Sequence, residues 1–202
     1  MRDLKRVFKE EVVAVKKEFN QYPFKFLSER ALVAALYSRL LKKYNHKINL
    51  KSNTVDEVLG QTELRKGTRV HLEANTKALQ NQKRQKVDIL VIDNNDAELH
   101  GYCYTKGNPS SRFEDEEVLM AIEVKFYRRF HCEKYEKRFR KAEKTNFEDT
   151  IEKLRIIKSK NDKALCAIVI FSNAHISGLS DFKSRAEKCN LFWYPIFREM
   201  EK

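Results

Sequence analysis

Two apolar runs in this 202-residue chain carry charges where charges are costly. In VDILVID, residues 87–93, Asp88 sits one residue inside the run. Strand side chains alternate between faces, so Asp88 shares a face with Leu90 and Ile92. In LMAIEVKFY, residues 119–127, Glu123 and Lys125 share a face with Ala121, while Ile122, Val124 and Phe126 take the other. Both faces of that second run read as buried. A carboxylate or ammonium taken out of water costs several kcal/mol unless it is paired or bound to metal. Two carboxylates on neighbouring strands suit Mg²⁺, which takes oxygen ligands and keeps several waters. Such an ion lowers the pKa of a bound water and neutralises charge building on a phosphoryl oxygen. A lysine about 6.6–7 Å further along the same strand can orient that water or stabilise the transition state. The plainer alternative is that Glu123 and Lys125 form a solvated ion pair at a strand end.

The elements that must position these groups are legible as periodicity. Residues 3–19 predict an amphipathic helix with Leu4, Phe8, Val12, Val15 and Phe19 on one face. After Pro23, residues 27–44 predict a second helix, capped by Ser28, with Leu32, Ala35, Leu36, Leu40 and Leu41 as its stripe. INLKSN and TRVHLEAN alternate as strands do, and NQKRQK is a basic connector. KVDILVID (86–93), VLMAIEVKFY (118–127), ALCAIVIFSN (164–173) and LFWYPIF (191–197) predict apolar strands. Residues 147–159 predict a helix with Phe147, Ile151, Leu154 and Ile157 on one face, and GLSDFKSRAEKC a further helix from near Ser180. Residues 94–117 read as an insertion, with ELHGYCYT as a strand or half-hairpin and KGNPSSRFEDEE as a loop with a solvated acidic end. Strands alternating with amphipathic helices imply a mixed sheet with helices on both faces. The expectation is one domain over 1–202, with 1–22 as an N-terminal helical extension.

Val87-Asp88 followed by Glu123-Val124-Lys125 resembles the signature of the PD-(D/E)XK nuclease superfamily, over roughly residues 27–173. The resemblance implies a restriction-endonuclease-like three-layer α/β/α core with a central mixed sheet. In that family the Asp and the Glu-x-Lys lie on adjacent central strands. It implies hydrolysis of phosphodiesters with Mg²⁺ or Mn²⁺, Asp88 and Glu123 as metal ligands, and Lys125 as the water-positioning group. Many members place a glutamate on the first core helix near the metal, and Glu29 matches that position; its plainer reading is a first-turn glutamate favoured by the helix dipole. DNA is the commoner substrate in that superfamily, RNA the rarer, and many members are homodimers. Two departures stand out: Val replaces the usual Pro before Asp88, and the long gap to Glu123 requires residues 94–117 to lie outside the core.

Lys and Arg outnumber Asp and Glu by 41 to 29, a surplus of +12 that favours a polyanionic partner such as nucleic acid over an anionic membrane. Lys83, Arg84 and Lys86 precede Asp88, and Lys134, Lys137, Arg138, Arg140 and Lys141 follow the Glu-x-Lys strand, interleaved with Tyr135 and Phe139. Those groups are the expected phosphate contacts. Glu73, on the strand before Asp88, could enter the site instead, its plainer reading being a solvent-facing strand residue; His71 reads as structural, as do Trp193 and Tyr194 on the last strand. The cysteines at 103, 132, 166 and 189 have neither zinc nor redox spacing, which suggests a reducing, cytoplasmic setting. No apolar run approaches the length of a membrane span. A non-catalytic nucleic-acid-binding protein on the same scaffold is the alternative function.

Overall fold

The structure is a computed structural model, and its described residues are 2–22, 25–26, 28–44, 47–52, 64–79, 86–93, 96–99, 112–127, 133–172 and 179–197. Two helices open the chain. In α1 (Arg2–Gln21), Phe8, Val12, Val15 and Phe19 recur at steps of three or four and are all buried. Helix α2 (Glu29–Lys43) starts at Ser28, whose hydroxyl accepts the N–H of Ala31 at 3.3 Å. It buries Leu32, Leu36 and Leu40, while Ala35 and Leu41 are partly covered.

Among the described residues nine strands follow: β1 (Lys47–Ser52), β2 (Leu64–Thr68), β3 (Val70–Thr76), β4 (Lys86–Ile92), β5 (Asp96–Leu99), β6 (Arg112–Phe113), β7 (Val118–Tyr127), β8 (Leu165–Ser172) and β9 (Phe192–Phe197). Helix α3 (Glu133–Lys160) joins β7 to β8, and α4 (Leu179–Lys188) joins β8 to β9. Six strands form one mixed sheet in the order β6-β3-β4-β7-β8-β9. There β4 runs antiparallel to both of its neighbours, β3 and β7, while β6 is parallel to β3, and β7, β8 and β9 are mutually parallel. The two parallel connections each pass through a helix, as crossovers between parallel strands require.

The sheet is covered on both faces. One face packs Ile89, Val91, Met120, Ile122, Val124, Val169 and Phe171 against α1 and α2. Phe19 anchors that layer, with its ring 5.3 Å from Phe171 and 6.0 Å from Phe126. The other face packs Leu90, Ile92, Ala121, Ile168 and Ile170 against α3 and α4. Phe147 anchors that layer between Tyr127 at 5.2 Å and Phe182 at 4.8 Å. Each such buried aromatic contributes on the order of 1.5–3 kcal/mol of hydrophobic stabilisation. The chain is therefore an α/β protein with a mixed sheet between two helical layers, and α1 is part of its core.

Four local expectations change. TRVHLEAN is not one strand: β2 ends at Thr68 and β3 begins at Val70. INLKSN is a strand but sits in a separate three-stranded sheet, order β2-β1-β5. The helix expected at 147–159 already begins at Glu133. The acidic end of the 94–117 segment is not wholly solvated, because Asp115 is buried and its Oδ1 accepts the N–H of Ala78 at 3.2 Å. Burial pushes the Asp115 carboxyl up from the usual range. Within 94–117, β5 pairs with β1 and β6 with β3, while β4 and β7 pair directly with each other.

Candidate active site

The β4–β7 ladder is short. Antiparallel pairing runs through Leu90–Ala121 and stops at Ile89–Ile122. Strand β7 continues beside β8 as far as Tyr127, so among the described residues its β4-facing edge has no strand partner beyond Ile122. Backbone N–H groups left there must find other acceptors. Two carboxylates supply them. Asp88 Oδ2 accepts the N–H of Val124 at 2.8 Å, and Glu29 Oε2 accepts the N–H of Phe126 at 3.1 Å. The fork between β4 and β7 is thus closed by acidic side chains from β4 and α2.

Lys125 stands at the centre of this arrangement. Its Nζ lies 3.2 Å from Glu123 Oε2, 3.8 Å from Glu29 Oε1 and 3.9 Å from Asp88 Oδ2. Glu123 is only 1% exposed and Lys125 7%, whereas Asp88 is 25% and Glu29 40% exposed. The pair on β7 forms the floor of the site, and Asp88 and Glu29 form its open rim. Glu123 and Lys125 lie inside β7, so the solvated pair at a strand end does not describe them.

The electrostatics follow from burial. Desolvation, reinforced by the charge of Glu123, pushes the Asp88 carboxyl up to about 7, against the opposing pull of Lys125. For Lys125, burial alone would lower the ammonium's pKa. The carboxylates of Glu123, Asp88 and Glu29 outweigh it and hold that pKa above its usual value.

One member of the site was not anticipated from the sequence. Lys153 on α3 donates to Glu123 Oε1 and, at 2.6 Å, to the backbone carbonyl of Lys86. It is 9% exposed. Its signal in the sequence is slight: Thr150 and Lys153, three residues apart, border the apolar stripe of α3, and both are buried.

The structure brings Glu29, Asp88, Glu123 and Lys125 together and leaves other candidates outside. Lys86 points its ammonium toward Glu73, 4.0 Å away, rather than into the site. Glu73 is mostly exposed and has a left-handed φ of 47°, at the break in the β3–β4 register opposite Asp88. His71 packs its ring 4.5 Å from that of Phe113. Trp193 lies half-buried, 5.8 Å from Phe147. Lys83 and Arg84 lie outside the described residues, as do the side chains of Lys134, Lys137, Arg138, Arg140 and Lys141, whose backbone is the first half of α3. Cys166 is buried with its thiol pushed up to about 12, so it is an unreactive core residue.

The donor set suits a hard divalent cation more than a closed cage. Among the described residues, no three His, Cys, Asp or Glu side chains converge as a ready-made metal-binding group. Mg²⁺ does not need one, since one or two carboxylates with several waters suffice. Three carboxylates here already gather around one ammonium, and the two more open ones face the rim. With Asp88 ionised, those three carboxylates face two ammoniums, Lys125 and Lys153, which leaves one negative charge. Asp88 and Glu123 are the carboxylates that would hold a Mg²⁺ or Mn²⁺ ion, the first open at the rim and the second with both oxygens held by lysines. No protein-family model and no curated protein matches this chain. Among the described residues, no helix is long and apolar enough to cross a membrane.

Proposed function

We propose that this protein is a divalent-metal-dependent nuclease of the PD-(D/E)XK type, acting by preference on DNA. The carrying observation is the convergence of Glu29, Asp88 and Glu123 on Lys125 where the β4–β7 ladder ends. The order of elements from α2 to β8 supports a restriction-endonuclease-like core, and the charge of +12 supports a nucleic-acid substrate.

In this reading Asp88 and Glu123 hold the Mg²⁺ or Mn²⁺, and the open rim admits the phosphodiester. When bound, the ion acidifies water and offsets charge on the phosphoryl oxygens. Lys125 positions the attacking water and faces the developing negative charge at close range. Glu29 ties α2 to the strand beside Lys125 and keeps that ammonium from collapsing fully onto Glu123. The basic run before Asp88, with Lys83 and Arg84, and the basic run after the Glu-x-Lys strand, with Lys134, Lys137, Arg138 and Arg140, supply phosphate contacts.

The test is a cleavage panel. Supercoiled plasmid, single-stranded DNA, branched DNA and RNA are each incubated with Mg²⁺, Mn²⁺ or EDTA, beside Lys125→Ala. Metal-dependent cutting that the variant loses supports the nuclease and ranks its substrates. Binding without cutting of any substrate favours a non-catalytic nucleic-acid-binding protein on this scaffold.

A further inference from the structure

Glu123 is bonded through both oxygens, and by two lysines of different character. Lys125 is shared among three carboxylates, at 3.2, 3.8 and 3.9 Å, and comes from the same strand two residues away. Lys153 comes from the opposite layer. Among the described residues its ion pair is with Glu123, and its second bond runs to the backbone carbonyl of Lys86, two residues before Asp88. Lys153 therefore spans the two strands that carry the metal-type carboxylates. A carboxylate 1% exposed is costly to bury unless a positive charge lies close to it. If Lys125 were the only such charge, it could not leave Glu123 to serve a water or a phosphate.

We propose that Lys153 is the fixed counter-ion of Glu123. It positions that carboxylate from across the β4–β7 junction, limits how strongly the site draws a divalent cation, and leaves Lys125 free to act on water. The inference rests on the metal-site reading above. It adds that one oxygen of Glu123 is permanently held by α3, so that the cation reaches the other. A lysine kept only for packing would stabilise the fold equally with and without metal.

The experiment is Mn²⁺ titration of the full chain by calorimetry, with thermal unfolding in EDTA and in saturating Mn²⁺. The variants are Lys153→Met, Lys153→Gln, Lys153→Arg and Asp88→Asn. Removing the ammonium while keeping Glu123 should tighten Mn²⁺ binding by about tenfold, as expected for a unit charge taken away within a few Å of the ion. The Mn²⁺-induced rise in Tm should grow accordingly. Lys153→Arg should bind Mn²⁺ like the wild type, because it keeps the charge. If Lys153→Met does not fold, Lys153→Gln gives the same comparison. A lower Tm with Mn²⁺ affinity unchanged or weakened overturns the proposal and makes Lys153 a packing residue. Wild-type protein that takes up no Mn²⁺, or takes it up as well as Asp88→Asn does, overturns the metal site itself and this inference with it.

Discussion

Asp88 Oδ2 accepts the N–H of Val124 at 2.8 Å, so one candidate metal ligand also caps the strand that carries the other. The bond fixes the separation of the two carboxylates through the backbone. It also means that two substitutions at one position have different consequences. Asp88→Asn keeps an oxygen for Val124 but loses the charge. Asp88→Ala loses both. Cleavage should fall at least a hundredfold in either variant. Only the alanine variant should lose stability from the orphaned amide, by about 1–3 kcal/mol. Urea denaturation in EDTA beside a plasmid-nicking assay separates the two effects, and equal stability losses would mean that the Val124 bond contributes nothing.

The raised Asp88 carboxyl gives the metal-free protein a specific pH dependence. An unfolded chain releases this proton near 3.8, whereas the folded chain holds it until about 7. Folding is favoured by the retained proton, so the Asp88 contribution is full below about pH 4 and is lost as pH rises through about 7. The loss is on the order of a few kcal/mol. Wild type minus Asp88→Asn, unfolded in EDTA across that window, isolates it. A flat difference would show that Asp88 titrates normally. A divalent cation competes with the same proton, so Mn²⁺ affinity should rise over the same interval and binding should release protons.

Lys125→Met should abolish cutting while leaving nucleic-acid binding within about threefold of wild type, because one ammonium on the floor of the site is a small part of the polyanion contact. Gel-shift and cleavage assays on the same DNA read both quantities. Loss of binding parallel to loss of cutting would place Lys125 in substrate grip instead of water positioning.

If the basic first half of α3 meets phosphates, neutralising Lys134, Lys137, Arg138 and Arg140 together should weaken DNA binding and flatten its salt dependence. Each lost phosphate contact should reduce the slope of log K against log salt by about 0.9 on duplex DNA. An unchanged slope would leave that half of the helix as a solvated face.

Asn161, just past α3, is buried and donates through its side-chain amide to the carbonyls of Asp115 at 2.9 Å and Val118 at 3.0 Å. Its Oδ1 accepts the N–H of Lys163 at 3.1 Å and of Ala164 at 3.2 Å. Asn161→Ala orphans several buried backbone groups at once and should cost about 2–4 kcal/mol. Chemical denaturation measures it, and a loss below about 1 kcal/mol would mean that water replaces the side chain.

How far the sequence could be read depended on what each element must bury. Strand β7 was legible to its ends, Val118–Tyr127, because both faces are apolar except at the two charged positions. Helix α2 was legible because Ser28 and the Leu32, Leu36 and Leu40 spacing agree. Strand alternation marked Asp88, Glu123 and Lys125 as charges set in apolar strands, whereas Glu29 entered only through the family resemblance. The first half of α3 did not read as helix, because in EKYEKRFRKAEK charge dominates and only Tyr135, Phe139 and Ala142 recur at helical spacing. Alternation marked INLKSN as a strand but holds no information on which sheet it joins. Lys153 was missed for a physical reason: a lysine beside an amphipathic stripe ordinarily extends its head into water. Only the carboxylate it meets, on an element thirty positions earlier, turns it inward.

Helix α3 and the residue that follows it therefore hold β7 through polar side chains at two positions. Asn161 grips the carbonyl of Val118 where the strand begins, and Lys153 grips Glu123 further along it. Between those holds the helix acts as a gauge rod laid against the strand. Each residue of an α-helix advances about 1.5 Å and turns about 100°. Adding or deleting a single residue between Lys153 and Asn161 would swing one hold to the wrong side, whatever residue is used. Even a whole extra turn would restore the direction but slide the hold by about 5.4 Å. Changes of length before Phe147 leave the spacing of the two holds intact. Length variation in this protein should accordingly be forbidden in the last two turns of α3, where the rod is read, and tolerated toward its start.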